Sequence, residues 1–164
     1  MAEHRVPWWR GSRGEWLVVL QVLVIALVVL GPRTWPGQAP WPAAAARACR
    51  LAGWVLMAAG AVLACAGLFR LGPSLTPLPY PRARGRLVQT GPYRLVRHPV
   101  YSGGVALAYG WALAACSWPT LVYATVLLVF VDCKATREER WLREKFAEYG
   151  EYARRVRKLI PFVY

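Results

Sequence analysis

The stretch GPYRLVRHPVYSGG, Gly91 to Gly104, gathers two arginines, a histidine and two tyrosines at the start of an apolar run. Pro92, following glycine, reads as the second position of a turn over Thr90 to Tyr93. Pro99 suits the first position of a helix, where its missing N–H costs nothing, with His98 as the N-cap. The free amides of such a helix start carry partial positive charge, so Arg97 beside them has the wrong sign. A carboxylate or phosphate visiting that point would satisfy amides and guanidinium together. Tyr101, three residues beyond His98, returns to nearly the same helix face, and its hydroxyl can aim at whatever occupies the cap. Two carboxylates, Glu138 and Glu139, come after a later apolar run. Adjacent residues diverge by about 100° on a helix, so one of them is expected to face inward, and position favours Glu138. Arg82, Arg84 and Arg86, on a Pro- and Gly-rich polar stretch, read instead as contacts to anionic headgroups.

The elements that must hold these residues are apolar. Of 164 residues 57% are hydrophobic, yet the formal net charge is +13. An oily and basic chain points to a membrane protein of one domain, and away from nucleic acid, whose binders carry a solvated basic stripe. Four runs read as membrane spans: Trp16 to Leu30, Ala48 to Phe69, Val100 to Ala115 and Thr120 to Val131. The first also admits a secretory signal peptide, since basic residues precede it and Ala43 to Ala46 come after it, although Trp8-Trp9 looks like an interfacial anchor. The last two are joined only by Cys116-Ser117-Trp118-Pro119 and so form a helical hairpin. Gly104 with Ala108, and Ala106 with Gly110, fit the spacing that lets membrane helices approach closely. From Lys134 to Lys158 apolar residues recur every three or four positions among charges, which predicts a basic amphipathic helix on the cytoplasmic leaflet. The expected fold is therefore all-α, a membrane bundle of about four spans plus that C-terminal helix. Arginines in the N-terminal tail, the loop before the third span and the C-terminal tail put both termini inside, with Arg33 and Arg47 as exceptions. Cys49, Cys65, Cys116 and Cys133 have no metal-binding or disulfide spacing.

The segments LVQTGPYRLVRHPVYSGG, REERWL, EYGEYARRV and IPF, in this order around a hairpin, resemble the isoprenylcysteine carboxyl methyltransferase and phospholipid methyltransferase family of integral membrane enzymes. The resemblance runs from about Leu71 to Phe162, with residues 1–70 adding two spans. It implies S-adenosylmethionine as cofactor, held at the cytoplasmic mouth between the hairpin and the C-terminal helix. Carried over by motif, the cofactor contacts fall on Leu87, Val88, Gly91, Tyr93, His98, Pro99, Val100, Tyr101 and Glu138. The basic residue given to the acceptor falls on Lys134, where the family usually has arginine; Ala147 and Arg157 also depart from the pattern. The cofactor's carboxylate would suit Arg97, His98 and the free amides.

The resemblance and the residues together lead to the expectation of methyl transfer to a lipid-like or membrane-partitioned acceptor, such as an isoprenoid or prenylcysteine carboxylate. Lys134 or Arg97 would orient that acceptor. Such transfer is an in-line displacement at carbon and needs alignment and a dry pocket rather than a metal. Two rivals stay open: a membrane reductase using NADPH, and a non-catalytic protein whose basic tail binds acidic lipids.

Overall fold

Each of the four apolar runs is a helix, and proline or serine sets where the hairpin helices begin. The computed structural model describes residues 15–72 and 86–164, so Trp8-Trp9, the N-terminal arginines, Arg82 and Arg84 lie outside the described residues. Helix α1 is Glu15–Leu30, α2 Ala43–Leu71, α3 Pro99–Ala114, α4 Trp118–Lys145 and α5 Tyr149–Arg155, with a short 3-10 helix at Gly91–Arg94. Pro99 occupies the first position of α3, as its missing N–H predicts. At the hairpin turn Ser117 caps α4, its hydroxyl accepting from the Thr120 amide at 3.2 Å. Gly91 sits at φ +64°, a conformation that glycine adopts without strain.

Helices α2 and α4, of 29 and 28 residues, are long and apolar enough to cross a membrane. Helices α1 and α3 have 16 residues each. Each therefore rises about 24 Å, short of the ~30 Å hydrocarbon core. The expected count of four full spans thus meets two helices of spanning length among the described residues.

The C-terminal helix differs more. The stretch from Lys134 does not start a separate amphipathic helix; α4 runs unbroken from Trp118 through Lys145. No glycine or proline interrupts DCKATREERWLREK, and its residues are mostly good helix formers, so nothing ends the span where the charges begin. The helix stops at Phe146, whose backbone is extended, and α5 adds only 7 residues before the chain extends again. That last segment returns to the start of α3: Val96 pairs with Arg157 as a parallel bridge, and the Arg97 and His98 amides donate to the Arg157 and Lys158 carbonyls at 2.8 and 3.2 Å.

Helices α2 and α3 approach backbone to backbone through glycines seven residues apart. Gly53 faces Gly110 and Ala114, Gly60 faces Gly103, and Gly67 faces Pro99 and Val100. The close approach therefore uses Gly103 and Gly110, while Gly104 looks into open space. A Cβ at Gly60 would stand 2.8 Å from the Gly103 carbonyl oxygen. Gly60→Ala is expected to cost about 1–3 kcal/mol and lower the unfolding midpoint in detergent. Gly104→Ala, which meets nothing within 4 Å, should leave that midpoint unchanged or slightly raised. Helix α1 packs along α4, its buried Val24 and Val28 joining Ala124, Leu127 and Val131.

Candidate functional site

Where α3 begins and the charged half of α4 passes, a cluster of ionisable side chains is closed by the returning C-terminal segment. His98 holds the N-cap position of α3, but its ring caps no amide. It turns toward α4, Nε2 lying 3.2 Å from Glu139 Oε1 and Nδ1 4.0 Å from Glu138 Oε2. The imidazole thus sits between both carboxylates. The expectation that only one glutamate faces inward fails because His98 lies between the two directions, where each reaches a different ring nitrogen. Glu139 is the more buried, its side chain 6% exposed against 26% for Glu138.

Arg97 is the larger surprise. Its Nε donates to Glu139 Oε1 at 2.7 Å, and Nη1 donates to the carbonyls of Ala153 and Val156 at 2.9 and 2.5 Å. The negative partner demanded by an arginine at a helix start is therefore supplied by the chain's own Glu139. The same guanidinium staples α5 to α3 and α4.

Glu138 has a different company. The Tyr101 hydroxyl donates to its Oε2 at 3.0 Å, and the Tyr101 ring stacks on His98 with centroids 5.5 Å apart. Lys134, one turn earlier on α4, is 2% exposed; its Nζ lies 5.3 Å from the Tyr101 ring centre and donates to Gln21 Oε1 of α1. Tyr93 is buried beneath, its carbonyl accepting from the Tyr152 hydroxyl at 2.7 Å and its own hydroxyl donating to Gly67 O at 3.4 Å. Burial, then the charge of Glu138, pushes the Tyr93 phenol up to about 12. Burial likewise raises Tyr149 and Tyr152, with Arg97 opposing it in both. All three phenols remain protonated at neutral pH. Tyr152→Phe would leave a buried carbonyl without its donor and is expected to cost about 1–3 kcal/mol, seen as a lower unfolding midpoint.

The structure brings Tyr93, His98, Tyr101, Lys134 and Glu138 into one neighbourhood, with Pro99 buried and Val100 half-buried at the start of α3. Leu87 and Val88 are half-buried in the irregular segment leading to Gly91. Sequence reasoning named Glu139 but favoured its neighbour Glu138, and it missed three contributors: Gln21, Ser102 and Lys158. The Ser102 hydroxyl donates to Leu159 O at 2.6 Å, and Lys158 Nζ reaches Asp132 Oδ1 and Thr136 Oγ1 at 2.5 and 2.6 Å, so both fasten the C-terminal segment. Gln21 had a signal, being the one polar residue inside the first apolar run.

Next to Lys134 and Tyr101 opens an apolar cavity of about 440 Å³ between α1, α3 and α4. Gln21 and Tyr101 line its polar end, and Val28, Ala108 and Leu127 its walls.

Over residues 48–149 the chain matches the phospholipid methyltransferase family, to which it belongs. That span takes in most of α2, all of α3 and α4 and the ionisable cluster, and leaves out α1 with Gln21 and all but the first residue of α5. Among similar proteins, a probable protein-S-isoprenylcysteine O-methyltransferase of Oryza sativa subsp. indica is 39% identical over 80 residues, covering 48% of this chain and 42% of the relative. Protein-S-isoprenylcysteine O-methyltransferase B of Arabidopsis thaliana is 31% identical over 115 residues, covering 68% and 58%. The nickel-cobalt-cadmium resistance protein NccN of Alcaligenes xylosoxydans xylosoxydans is 32% identical over 164 residues, covering 98% and 66%. The matched part of the chain thus spans about half the length of the plant relatives.

Proposed function

We propose that this chain is an integral membrane methyltransferase that uses S-adenosylmethionine and acts on a lipid-like, membrane-partitioned acceptor of the isoprenoid or prenylcysteine carboxylate kind. The observation that carries this reading is the meeting of a charged cluster with an apolar cavity: Tyr101 belongs to both, and Lys134 stands at the seam. The residues fit the cofactor. Glu138 is partly open, and its hydrogen bond from Tyr101 and its approach to His98 both use Oε2, so its other oxygen can accept from a ribose hydroxyl or an ammonium. When bound, the cofactor supplies an electrophilic methyl group on a sulfonium. Tyr93, His98, Tyr101 and Glu138 would hold it, with Leu87, Val88, Gly91, Pro99 and Val100 shaping the seat. Lys134, a point charge without arginine's fork, would orient the acceptor head. Arg97, with donors on Nε and Nη1 already engaged, acts in this scheme as a positioning residue that holds Glu139 and α5. Water exclusion comes from the apolar walls on one side and the returning C-terminal segment on the other. The basic residues Arg86, Arg94 and Lys158 favour a cytoplasmic cofactor side with both termini on it.

Isothermal titration of S-adenosylhomocysteine into detergent-purified protein tests this. Saturable heat is expected, and none from well-folded protein would overturn the reading. Binding of NADPH with no response to the adenosyl ligand would assign a reductase. If His98→Ala and Glu138→Ala changed nothing, a lipid-binding role without catalysis would remain.

A further inference from the structure

The segment after α5 carries a turn that breaks a local rule. Ile160-Pro161-Phe162-Val163 closes on itself, the Val163 amide donating to the Ile160 carbonyl at 3.1 Å. Proline presets the second position of such a turn, and a positive φ at the third is ordinarily given to glycine or asparagine. Phe162 stands there instead, at φ +65°. A bulky side chain in that conformation is strained, and strain persists only where the surroundings offset it. The protein does not supply that offset, since Phe162 is 84% and Val163 71% exposed. The turn is nevertheless held in place: the Leu159 and Ile160 amides donate to the Tyr164 main-chain oxygen at 2.8 and 2.7 Å, which leaves Phe162 at the tip.

Its depth is set by the helices it leans on. Ser102, one turn into α3, donates to the Leu159 carbonyl at 2.6 Å. Lys158 Nζ reaches Oδ1 of Asp132, the residue that follows the apolar run of α4, and Leu159 belongs to the same apolar cluster as Val131. The turn therefore lies where both hairpin helices enter the hydrocarbon, and the exposed Arg155 and Arg157 precede it. Exposed aromatic and aliphatic side chains at that depth, flanked by arginines, are the composition of an interfacial anchor.

We propose that residues 160–163 form a membrane hook. Phe162 and Val163 insert into the boundary between headgroups and acyl chains of the nearer leaflet, and Arg155 and Arg157 meet its anionic headgroups. The hook holds the preceding segment against α3, where the Arg97 and His98 amides donate to the Arg157 and Lys158 carbonyls. Burial of the ring in lipid offsets the strain at its backbone. The hook rests on the membrane reading of the helices and not on methyl transfer.

The test uses the full chain in nanodiscs of phosphatidylcholine and phosphatidylglycerol, with trifluoromethyl-phenylalanine in place of Phe162. Lipid carrying a nitroxide near its headgroup should broaden the fluorine resonance more than a water-soluble gadolinium chelate does. The reverse order would place the ring in water, and broadening by neither would mean that a protein surface covers it; each overturns the proposal. Phe162→Asn separates insertion from strain, because asparagine tolerates positive φ but does not insert. Hydrogen exchange at the Arg97 and His98 amides should then quicken about 3- to 10-fold, the factor that partial burial of one aromatic ring supplies. Without lipid contact the same replacement would only relax the turn, so exchange that is unchanged or slower would also overturn the proposal. Both readouts are taken without cofactor, so failure of the methyltransferase reading leaves them intact.

Discussion

Glu139→Ala is expected to lower stability by about 3–5 kcal/mol, the cost of leaving a buried charge without its partner. For a chain of this size that is a fall of roughly 6–20 °C in unfolding midpoint. Glu139 Oε1 takes the Arg97 Nε at 2.7 Å and faces His98 Nε2 at 3.2 Å, while Oε2 lies 3.5 Å from Arg143. The Arg97 and Glu139 side chains are 12% and 6% exposed, so water cannot replace the lost carboxylate. Nor can the guanidinium swing outward, since Nη1 is tied to the carbonyls of Ala153 and Val156. Its release would free α5 together with the segment paired to Val96. Glu139→Gln keeps an acceptor and should lose less. The double replacement of Arg97 and Glu139 by leucine should recover part of the loss, because neither charge is then left alone. Thermal unfolding of the variants in one detergent checks the order, and a midpoint for Glu139→Ala equal to the parent's would refute it.

How much of the molecule is legible in its sequence depends on whether the deciding interaction is local. Pro99 announces the start of α3 because its constraint acts on its own backbone, and Ser117 and Pro119 bound the hairpin in the same way. The apolar runs are helices with ends shifted by a few residues, save the far end of α4. The persistence of α4 to Lys145 is legible in its composition, but the change from apolar to charged residues imitates an element boundary when it marks only a change of surroundings. Less accessible is the rotation of α4 about its axis. Periodicity says that Glu138 and Glu139 point about 100° apart, not where His98 lies between them. The partner of Arg97 is hidden for a related reason: the bridge from Val96 to Arg157 joins residues far apart in the chain and carries no apolar pattern. The glycines of α2 at positions 53, 60 and 67 show a seven-residue spacing, but only their opposition to Gly103 and Gly110 gives the spacing meaning.

The neighbouring glutamate should behave in the opposite way. Glu138→Gln is expected to weaken S-adenosylhomocysteine binding by about 10- to 100-fold, the range that one charged hydrogen bond supplies. The unfolding midpoint should stay close to the parent's. Glu138 accepts from the Tyr101 hydroxyl at 3.0 Å and lies 4.0 Å from His98 Nδ1, and its side chain keeps 26% exposure. An amide of the same shape can still accept from Tyr101, so packing survives while the negative charge offered to a ribose or ammonium is lost. Tyr101→Phe removes only a neutral donor and should weaken the same binding by about 3- to 10-fold. The Glu138→Gln and Glu139→Ala results together would show two adjacent glutamates dividing the work, one neutralising a buried arginine and the other offering its charge to the cofactor. Isothermal titration beside thermal unfolding reads both properties on each variant. Glu138→Gln binding S-adenosylhomocysteine as tightly as the parent would remove Glu138 from the cofactor seat, whatever Glu139→Ala does to stability.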